Sequence, residues 1–282
     1  MILQRVQTWW VILRIALEER LIYRGDFALG TLMRFLPIVT QIFLWAAVFA
    51  AVPESETETE SERTQLGGYR FADMVAYYLL AMVARAFSSM PGLASGIALQ
   101  VRQGEIKRYL VQPIDLIGFL LLQRIAHKLA YYTIAIAPFA FVFYLCRGFF
   151  LDGWPSAQTL IAFSVSLVLG FLIGFFLEAA IGMIGFWFLE VSSLLFIYML
   201  FSFFLSGHMF PLTLLPGSIQ TVVEWLPLKY LAYFPAAVFL GKIPPDQLWT
   251  EILIEAAWLL FFIVLCRVMY RRGLRRYSGY GG

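Results

Sequence analysis

A long apolar stretch, from Leu160 to Phe210, sets the strongest limit on how this chain can fold. A helix rises about 1.5 Å per residue and needs about 20 residues to cross the roughly 30 Å hydrocarbon core of a bilayer. The stretch is too long for one crossing and therefore predicts two, joined by a turn. The polar residues that a turn needs occur between Glu178 and Glu190, so we place the turn there.

The rest of the chain contains further stretches of crossing length. Of the 282 residues, 61% are hydrophobic and only 14% are charged, whereas a soluble domain carries about 25% charged residues. The other predicted crossings are Leu32–Val52, Phe71–Leu93, Ala130–Leu145 and Leu248–Met269, and the apolar stretch Leu116–Gln123 leads into the third of these crossings. The sequence therefore predicts an all-α integral membrane protein with about six transmembrane helices, forming a single domain over residues 1–282.

The basic residues are unevenly distributed between the two sides of this arrangement. Fourteen lie in the N-terminal segment, in the connection after the second crossing and in the tail, and five lie on the other side. The fourteen are Arg5, Arg14, Arg20, Arg24, Arg102, Lys107, Arg108, Arg124, Lys128, Arg267, Arg271, Arg272, Arg275 and Arg276. Cytoplasmic loops carry the excess of Lys and Arg in membrane proteins. We therefore expect both termini to be cytoplasmic, with a basic tail over residues 270–282.

Residues 1–24 carry apolar residues at helical spacing, interrupted by charges such as Arg5, Arg14 and Glu18. The segment includes Trp9 and Trp10, a residue type favoured at the membrane–water interface. The pattern predicts an amphipathic helix that lies in the cytoplasmic interface. The alternative is a helix packed on the protein itself.

Six of the twelve prolines fall within residues 208–247. Proline removes a backbone donor and ends helices, so no continuous crossing fits here. Short helices that enter the outer leaflet and return fit better, because broken backbone at that depth needs protein or water to cover it. We therefore predict a proline-rich re-entrant outer segment before the last crossing.

Three ionisable residues, Arg85, Glu178 and Glu190, lie at or near membrane depth. A charge inside the membrane is costly and by default marks a functional site. Arg85 lies in the middle of a predicted crossing and should face protein or water rather than lipid, where pairing with a carboxylate or a helix C-terminus is favoured over a role in transport. Glu178 and Glu190 flank the predicted cytoplasmic turn, which leaves open whether they belong to a substrate pathway or to an interface. All three are candidate substrate-pathway residues.

Residues 53–70 begin with a run in which five glutamates, from Glu54 to Glu62, alternate with Ser and Thr. Such a run buries no apolar face, so it predicts a disordered, solvated outer loop. The alternative is a negatively charged vestibule that attracts a cationic substrate through its field.

The sequence shows no constellation for catalysis or metal binding. His127 and His208 are far apart, and Cys146 and Cys266 are too isolated for a metal site or a disulfide framework. The chain also lacks the phosphate-binding motif G-x-x-x-x-G-K-[ST]. We predict no catalytic residue, no metal site and no nucleic-acid partner, and we expect any ATP to be bound by another chain.

The connection after the second crossing mixes charges with aromatic and aliphatic residues. Its candidate partner-docking residues are Arg102, Glu105, Lys107, Arg108, Tyr109 and Leu110. Protein interfaces favour aromatic residues and Arg, so we interpret the segment 99–114 as a docking element. The alternative is an ordinary charged connector.

This connection also carries a family resemblance. The pattern Gly104-Glu105-Ile-Lys-Arg108-Tyr109-Leu110-x-x-Pro113 resembles the segment between the second and third crossings of ABC-2-type transporter permeases. Later motifs resemble, in order, those of bacterial ABC-2 family transporter proteins: Gly185-Phe-Trp187, Ser206-Gly207, Leu226-Pro227, Phe234-Pro235 and Gly241. The resemblance extends over nearly the whole chain.

The resemblance implies a permease in the bacterial cytoplasmic membrane that exports its substrate by alternating access. The residues themselves indicate a hydrophobic or amphipathic substrate: the acidic run and the membrane glutamates favour a lipophilic cation, and the aromatic, apolar crossings equally suit a lipid. It implies that the segment 99–114 is a coupling helix docked on a separate ATPase subunit, which binds ATP and Mg²⁺, and that two permease copies pair. It also implies an outer gate within residues 208–247, with Pro211, Pro216, Pro227, Tyr230 and Pro235 as its candidate residues. The rival interpretations are a membrane-embedded lipid enzyme and a channel or scaffold subunit without an ATPase.

Overall fold

The computed structural model describes residues 2–22, 24–51, 65–112, 114–151, 153–188 and 190–277. Within these residues the chain forms eleven α-helices and one short β hairpin. The helices are α1 (Ile2–Ile22), α2 (Arg24–Ala50), α3 (Phe71–Ser88), α4 (Leu93–Arg102), α5 (Lys107–Leu110), α6 (Leu116–Leu145), α7 (Ala157–Met183), α8 (Ser192–Leu205), α9 (Gly217–Trp225), α10 (Tyr233–Phe239) and α11 (Pro245–Arg276). The hairpin pairs β1 (Gln65–Leu66) with β2 (Tyr69–Arg70), and 3₁₀ turns cover Arg147–Phe149, Ile184–Phe186, Leu212–Leu214 and Pro227–Leu231.

Four helical stretches of the described chain are long and apolar enough to cross a membrane. They are Phe71–Arg102, Leu116–Leu145, Ala157–Phe186 and Pro245–Arg276, and two shorter apolar stretches are Phe35–Ala50 and Ser192–Leu205. This composition confirms the prediction of a helical membrane protein. The two shorter stretches coincide with the first and fifth predicted crossings, so a total of six crossings stays a prediction.

Helix α7 lies at the centre of the fold and packs against α3, α4, α10 and α11. On three of its glycines, Gly170, Gly174 and Gly182, an added Cβ atom would come within 2.8 Å of a backbone carbonyl oxygen of a neighbouring element. A Cβ atom on Gly182 would come within 2.8 Å of the Ala94 carbonyl oxygen on α4. The glycines allow the backbones to approach as small residues do between membrane helices.

The turn predicted between Glu178 and Glu190 lies at the far end of that range. Helix α7 continues to Met183, a 3₁₀ turn follows to Phe186, and α8 begins at Ser192. The interpretation of Glu178 as a residue beside the turn is therefore wrong, because Glu178 lies inside α7. The apolar residues on both sides of Glu178 extend the helix past it, and a single polar residue does not end a helix.

The third predicted crossing begins earlier than we predicted, at Leu116 rather than at Ala130. Helix α6 is continuous from Leu116 and includes both Arg124 and Lys128. Its start is fixed by Asp115, whose side chain accepts a hydrogen bond from the Gly118 backbone N–H at 3.0 Å. An Asp in this position caps the free donors of a helix N-terminus.

The segment 99–114, predicted as a coupling helix, is not one continuous helix. Helix α4 ends at Arg102, and α5 supplies a single helical turn at Lys107–Leu110. Between them Gly104 has φ of 76°, a left-handed conformation that residues other than glycine rarely adopt. Pro113 lies outside the described residues.

Helix α1 confirms the predicted N-terminal helix and packs against α6. Ala16 is buried there, and Trp9 lies beside Gly118. Trp10, Val11 and Ile15 remain exposed. The helix therefore combines packing on the protein with an exposed apolar face, and its placement in the membrane interface stays a prediction.

Residues 208–247 form short helices, as predicted. Pro211, Pro216 and Pro244 precede a 3₁₀ turn, α9 and α11, and Pro227 begins another 3₁₀ turn. Proline fits these positions because the first residues of a helix need no backbone donor. The entry of this segment into the membrane stays a prediction.

Two predicted segments lie wholly or partly outside the described residues. Of the acidic outer loop 53–70, the glutamate run falls outside them, and residues 65–70 form the β hairpin. Of the basic tail, residues 270–276 continue α11 as a helix, and residues 278–282 fall outside.

Candidate functional site

The apolar stretch Phe71–Arg102 is interrupted between α3 and α4. Helix α3 ends at Ser88, and α4 begins at Leu93 after Gly92, whose φ is 73°. We call the residues between them, 89–92, the break. The backbone groups of a broken helix need other partners, because lipid supplies none.

Basic side chains of α6 bind the carbonyl oxygens of the break. Lys128 Nζ donates to the carbonyl oxygens of Ala86 at 2.5 Å and Ser89 at 2.7 Å. The Arg124 guanidinium donates to the Pro91 carbonyl oxygen at 2.9 Å. A cation is also favoured at the C-terminus of a helix by the helix dipole. Lys128 and Arg124 therefore stabilise the break.

Glu178 of α7 meets the break from the other side. Its carboxylate accepts a hydrogen bond from the Met90 backbone N–H and interacts electrostatically with Arg85, Arg124 and Lys128. The same carboxylate would be costly in lipid without such partners. An acidic residue inside α7 is thus explained by the broken helix packed against it.

A cavity of about 320 Å³ opens beside the break, between α3, α4, α7 and α8. Arg85 and Glu178 both line it, together with Tyr198 and Ser202 of α8, and the remaining lining is largely apolar. Arg85 lies 3.5 Å from the Ser202 hydroxyl. Arg85 also lines a second cavity, of about 250 Å³, that includes His208. A pocket with an apolar wall and a few polar groups is the usual form of a ligand site.

The structure brings together two of the three predicted pathway residues. Arg85 and Glu178 share the cavity, whereas Glu190 lies before α8 and is exposed. Hydrogen bonds from the Ser192 hydroxyl and backbone N–H hold the pKa of Glu190 below its ordinary value. Its carboxylate lies 3.6 Å from Arg102, one of the predicted docking residues. Glu190 therefore belongs with the docking residues by position.

The predicted docking residues lie together around α5. Arg108 lies 3.3 Å from Glu105, and its guanidinium lies 4.9 Å from the Tyr109 ring centre. The Tyr109 ring also contacts Phe119 of α6, while Ile106 is buried beneath the segment. Exposed beside them are Leu110 and, at 84% exposure, Val111. We call this the α5 surface, formed by Arg102, Glu105, Lys107, Arg108, Tyr109, Leu110 and Val111.

An ion pair ties this end of the molecule to α11. Both guanidinium nitrogens of Arg267 donate to the Asp115 carboxylate, at 2.5 and 2.7 Å. Burial alone would raise the pKa of Asp115, but the hydrogen bonds and charge of Arg267 and the N–H of Gly118 hold it below its ordinary value. A two-pronged Arg–carboxylate contact fixes orientation as well as distance. The start of α6, directly after the α5 surface, is therefore held against α11.

The predicted outer-gate residues are distributed over the short helices. Pro211 and Pro216 flank the 3₁₀ turn Leu212–Leu214, Pro227 begins the 3₁₀ turn Pro227–Leu231, and Pro235 lies in α10. Tyr230 is fully buried, and its hydroxyl donates to Glu251 of α11 at 2.9 Å. The gate itself stays a prediction.

Sequence reasoning missed an acidic pair on α11, of which one member is buried. Glu251 and Glu255 lie within the last predicted crossing, and Glu255 is completely buried. Two glutamates one helical turn apart inside an apolar helix were a usable signal, because intramembrane charges mark functional sites. It also missed the break, which the sequence Ser-Ser-Met-Pro-Gly ending at Gly92 marks, since Pro-Gly interrupts helices.

A family model described as ABC-2 family transporter protein matches residues 35–281. The chain belongs to this family. The match starts within α2 and includes the break, the α5 surface and the acidic pair. No curated protein sequence matches the chain. Membership in the ABC-2 family makes the chain a membrane component of an ABC transporter rather than a catalytic enzyme.

Proposed function

We propose that this ABC-2 family protein is the permease subunit of an exporter, driven by ATP hydrolysis on a separate chain. One observation carries the proposal: α4 connects the cavity to the α5 surface. Its first residues, Ala94 and Ser95, line the cavity, and its last residue, Arg102, belongs to the α5 surface. Ten residues of helix span about 15 Å. A displacement of the α5 surface would therefore reach the cavity through one rigid element.

The packing of α4 supports this coupling. Its buried residues, among them Ile97, Ala98 and Val101, face the core. The close contacts of Gly182 with Ala94 and of Gly185 with Ala98 hold α4 against the end of α7. At its other end α4 is joined to α3 by the break rather than by continuous helix. Short connections of this kind absorb the backbone changes of a hinge.

In the proposed cycle, ATP and Mg²⁺ bind to the partner ATPase, which docks on the α5 surface. Binding and hydrolysis move α4 about the break, so that the cavity opens alternately to the two sides of the membrane. A second permease copy completes the transport path in the bilayer. The excess of basic residues beside the α5 surface supports a cytoplasmic position for it and for both termini, in a bacterial cytoplasmic membrane.

The lining of the cavity supports a hydrophobic or amphipathic substrate. Leu195, Met199 and Met90 supply apolar surface, and Arg85 and Glu178 supply one charge of each sign. With one ionisable group of each sign, the lining favours neither a cation nor an anion. We therefore propose a lipid-like or drug-like molecule whose apolar part lies against α8.

The docking step is tested with three substitutions on the α5 surface: Glu105→Arg, Arg108→Glu and Tyr109→Ala. The chain offers a matched control, because Arg147 lies over the Tyr144 ring at 4.4 Å at the opposite end of α6. Loss of one member of an interfacial charge pair costs about 2–5 kcal/mol. We expect each α5 variant to lower co-purification with the ATPase at least about tenfold, and to lower substrate-stimulated ATP hydrolysis. Arg147→Glu and Tyr144→Ala should leave both unchanged.

Two results would reject this proposal. If all three α5 variants retain the ATPase and its stimulation, the segment is a connector. If the native chain purifies from its own membranes without an ATPase and still conducts solute, the channel interpretation is correct.

A further inference from the structure

Glu255 of α11 lies in the interior of the helix bundle without full hydrogen bonding. Glu255 is completely buried, with 0% of its surface exposed. The Ser166 hydroxyl of α7 donates to Oε1 at 3.2 Å. The second oxygen, Oε2, has no hydrogen-bond partner within the described part of the chain. Buried polar atoms are almost always partnered, so an unpartnered carboxyl oxygen requires an explanation.

The nearest cation is already bound by the neighbouring glutamate. Lys229 Nζ lies 2.8 Å from Glu251 Oε2, and the Tyr230 hydroxyl donates to the same atom. Glu251 lies one helical turn before Glu255, so two carboxyl groups share one ammonium group. An ionised Glu255 would be both buried and repelled by Glu251.

Among the residues that the structure describes, the other groups around Glu255 supply no further positive charge. On α7 the contact is the neutral Ser166, and on the 3₁₀ turn Pro227–Leu231 the ionisable groups are Lys229 and Tyr230. From α10, Tyr233 lies near Glu251 and its hydroxyl is neutral. A buried carboxyl group in these surroundings binds a proton rather than remaining charged.

We propose that Glu255 is a proton-binding site of the bundle, which holds a proton on Oε2 in this conformation and releases it when α7 and α11 separate. On release the Oε2–H bond breaks, its electron pair stays on the carboxylate, and the proton passes to water admitted between the helices. Glu251, whose side chain is 25% exposed, marks the side from which that water enters.

This proposal goes beyond the transporter function, because it holds whether or not the chain couples to an ATPase. It makes the separation of α7 from α11 depend on pH. Release of a proton on opening means that acidic conditions favour the closed arrangement and alkaline conditions favour the open one.

Infrared spectroscopy of the full chain in lipid nanodiscs tests the site directly. The carbonyl stretch of a protonated carboxyl group is separate from the bands of ionised carboxylates and shifts in D₂O. We expect such a band at neutral pH in the wild type, its loss in Glu255→Gln, and a weaker band in Glu251→Gln, which removes the repelling charge and frees Lys229. Ser166→Ala should shift the band without removing it, because it removes the hydrogen bond to Oε1. A wild-type spectrum without the band, or a band unchanged in Glu255→Gln, would overturn the proposal.

Thermal unfolding provides a second measurement. Since Glu255→Gln mimics the protonated acid in shape, it should melt near the wild-type temperature below about pH 4.3, the ordinary pKa of Glu, where the unfolded chain is protonated as well. The melting temperature of the wild type should fall below that of Glu255→Gln as the pH rises above that value, because the folded state then binds more protons than the unfolded state. If sodium ions at constant ionic strength raise the melting temperature of the wild type but not of Glu255→Gln, the site binds a metal cation and the proton proposal is wrong. If Glu255→Gln fails to fold, the band shift in Ser166→Ala still decides the question.

Discussion

Gly174 of α7 lies directly against the backbone of Ser88 at the end of α3. A Cβ atom placed on Gly174 would come within 2.1 Å of the Ser88 carbonyl oxygen, a distance that no real structure accommodates without movement. The contact fixes the C-terminal end of α3, and with it the position of the break. The Ser88 hydroxyl meanwhile donates to the Leu231 carbonyl oxygen at 2.7 Å, which holds the segment 208–247 to the same point.

Gly174→Ala should therefore destabilise the protein although alanine is the better helix former. Overpacking of a close contact costs about 1–3 kcal/mol, and here the obstacle is backbone rather than a flexible side chain. Gly96→Ala is the matched control, since Gly96 lies inside α4 with nothing within 4 Å of an added Cβ. That control should be neutral or stabilising by up to about 1 kcal/mol. Thermal melts in detergent compare the two, and equal melting temperatures would show that the contact at Gly174 is looser than described.

Lys128→Met should weaken the break by removing the donor for the Ala86 and Ser89 carbonyl oxygens. Leaving a buried acceptor unsatisfied costs about 1–3 kcal/mol, whereas Met retains most of the apolar volume of Lys. Lys107→Met on the exposed α5 should change stability by less than about 0.5 kcal/mol. Hydrogen exchange of the α3–α4 backbone provides the local measurement. We expect faster exchange around the break in Lys128→Met alone, and unchanged exchange would contradict the proposed role of Lys128.

Asp115 should make the stability of the folded protein depend on pH in the acidic range. The pKa of Asp115 is depressed in the folded chain, so its stabilisation is complete above the ordinary pKa of about 3.9 and is lost as the pH falls through the folded value. The difference in melting temperature between the wild type and Asp115→Asn should therefore be largest at neutral pH and shrink in acid. Glu105→Gln is the control, because its pair with Arg108 is half exposed and should contribute little. A pH-independent difference would indicate that Asp115 acts only as a helix cap.

The sequence predicted the helical membrane class and the family because both depend on features spread along the chain. The length of each apolar stretch identifies each crossing separately. A motif such as Gly104-Glu105 is recognised from neighbouring residues alone. The N-terminal helix and the short proline-bounded helices follow from the same local rules.

The break and its charged partners could not be assembled in this way. Pro91 and Gly92 mark an interruption, but nothing local shows that Lys128 and Glu178 meet it from two other helices. Glu178 was misplaced beside a turn because a single charge in an apolar run has two local explanations, a turn or a buried partner. Only the packing of α6 and α7 on α3 distinguishes them.

The orientation of the chain is the last prediction, and a matched pair of cysteines tests it. Gln103 follows α4 beside the α5 surface, and Gln158 lies in the first turn of α7, at the opposite end of the bundle; both are exposed. In a background with Cys146 and Cys266 replaced by alanine, Gln158→Cys should react with an impermeant thiol reagent in intact cells. Gln103→Cys should react only after the membrane is opened, because the excess of basic residues places its end in the cytoplasm. Each variant is the control for the other, since both replace an exposed glutamine. Labelling of Gln103→Cys in intact cells would show that the predicted topology is inverted. The α5 surface would then lie on the side of the membrane that a cytoplasmic ATPase does not reach.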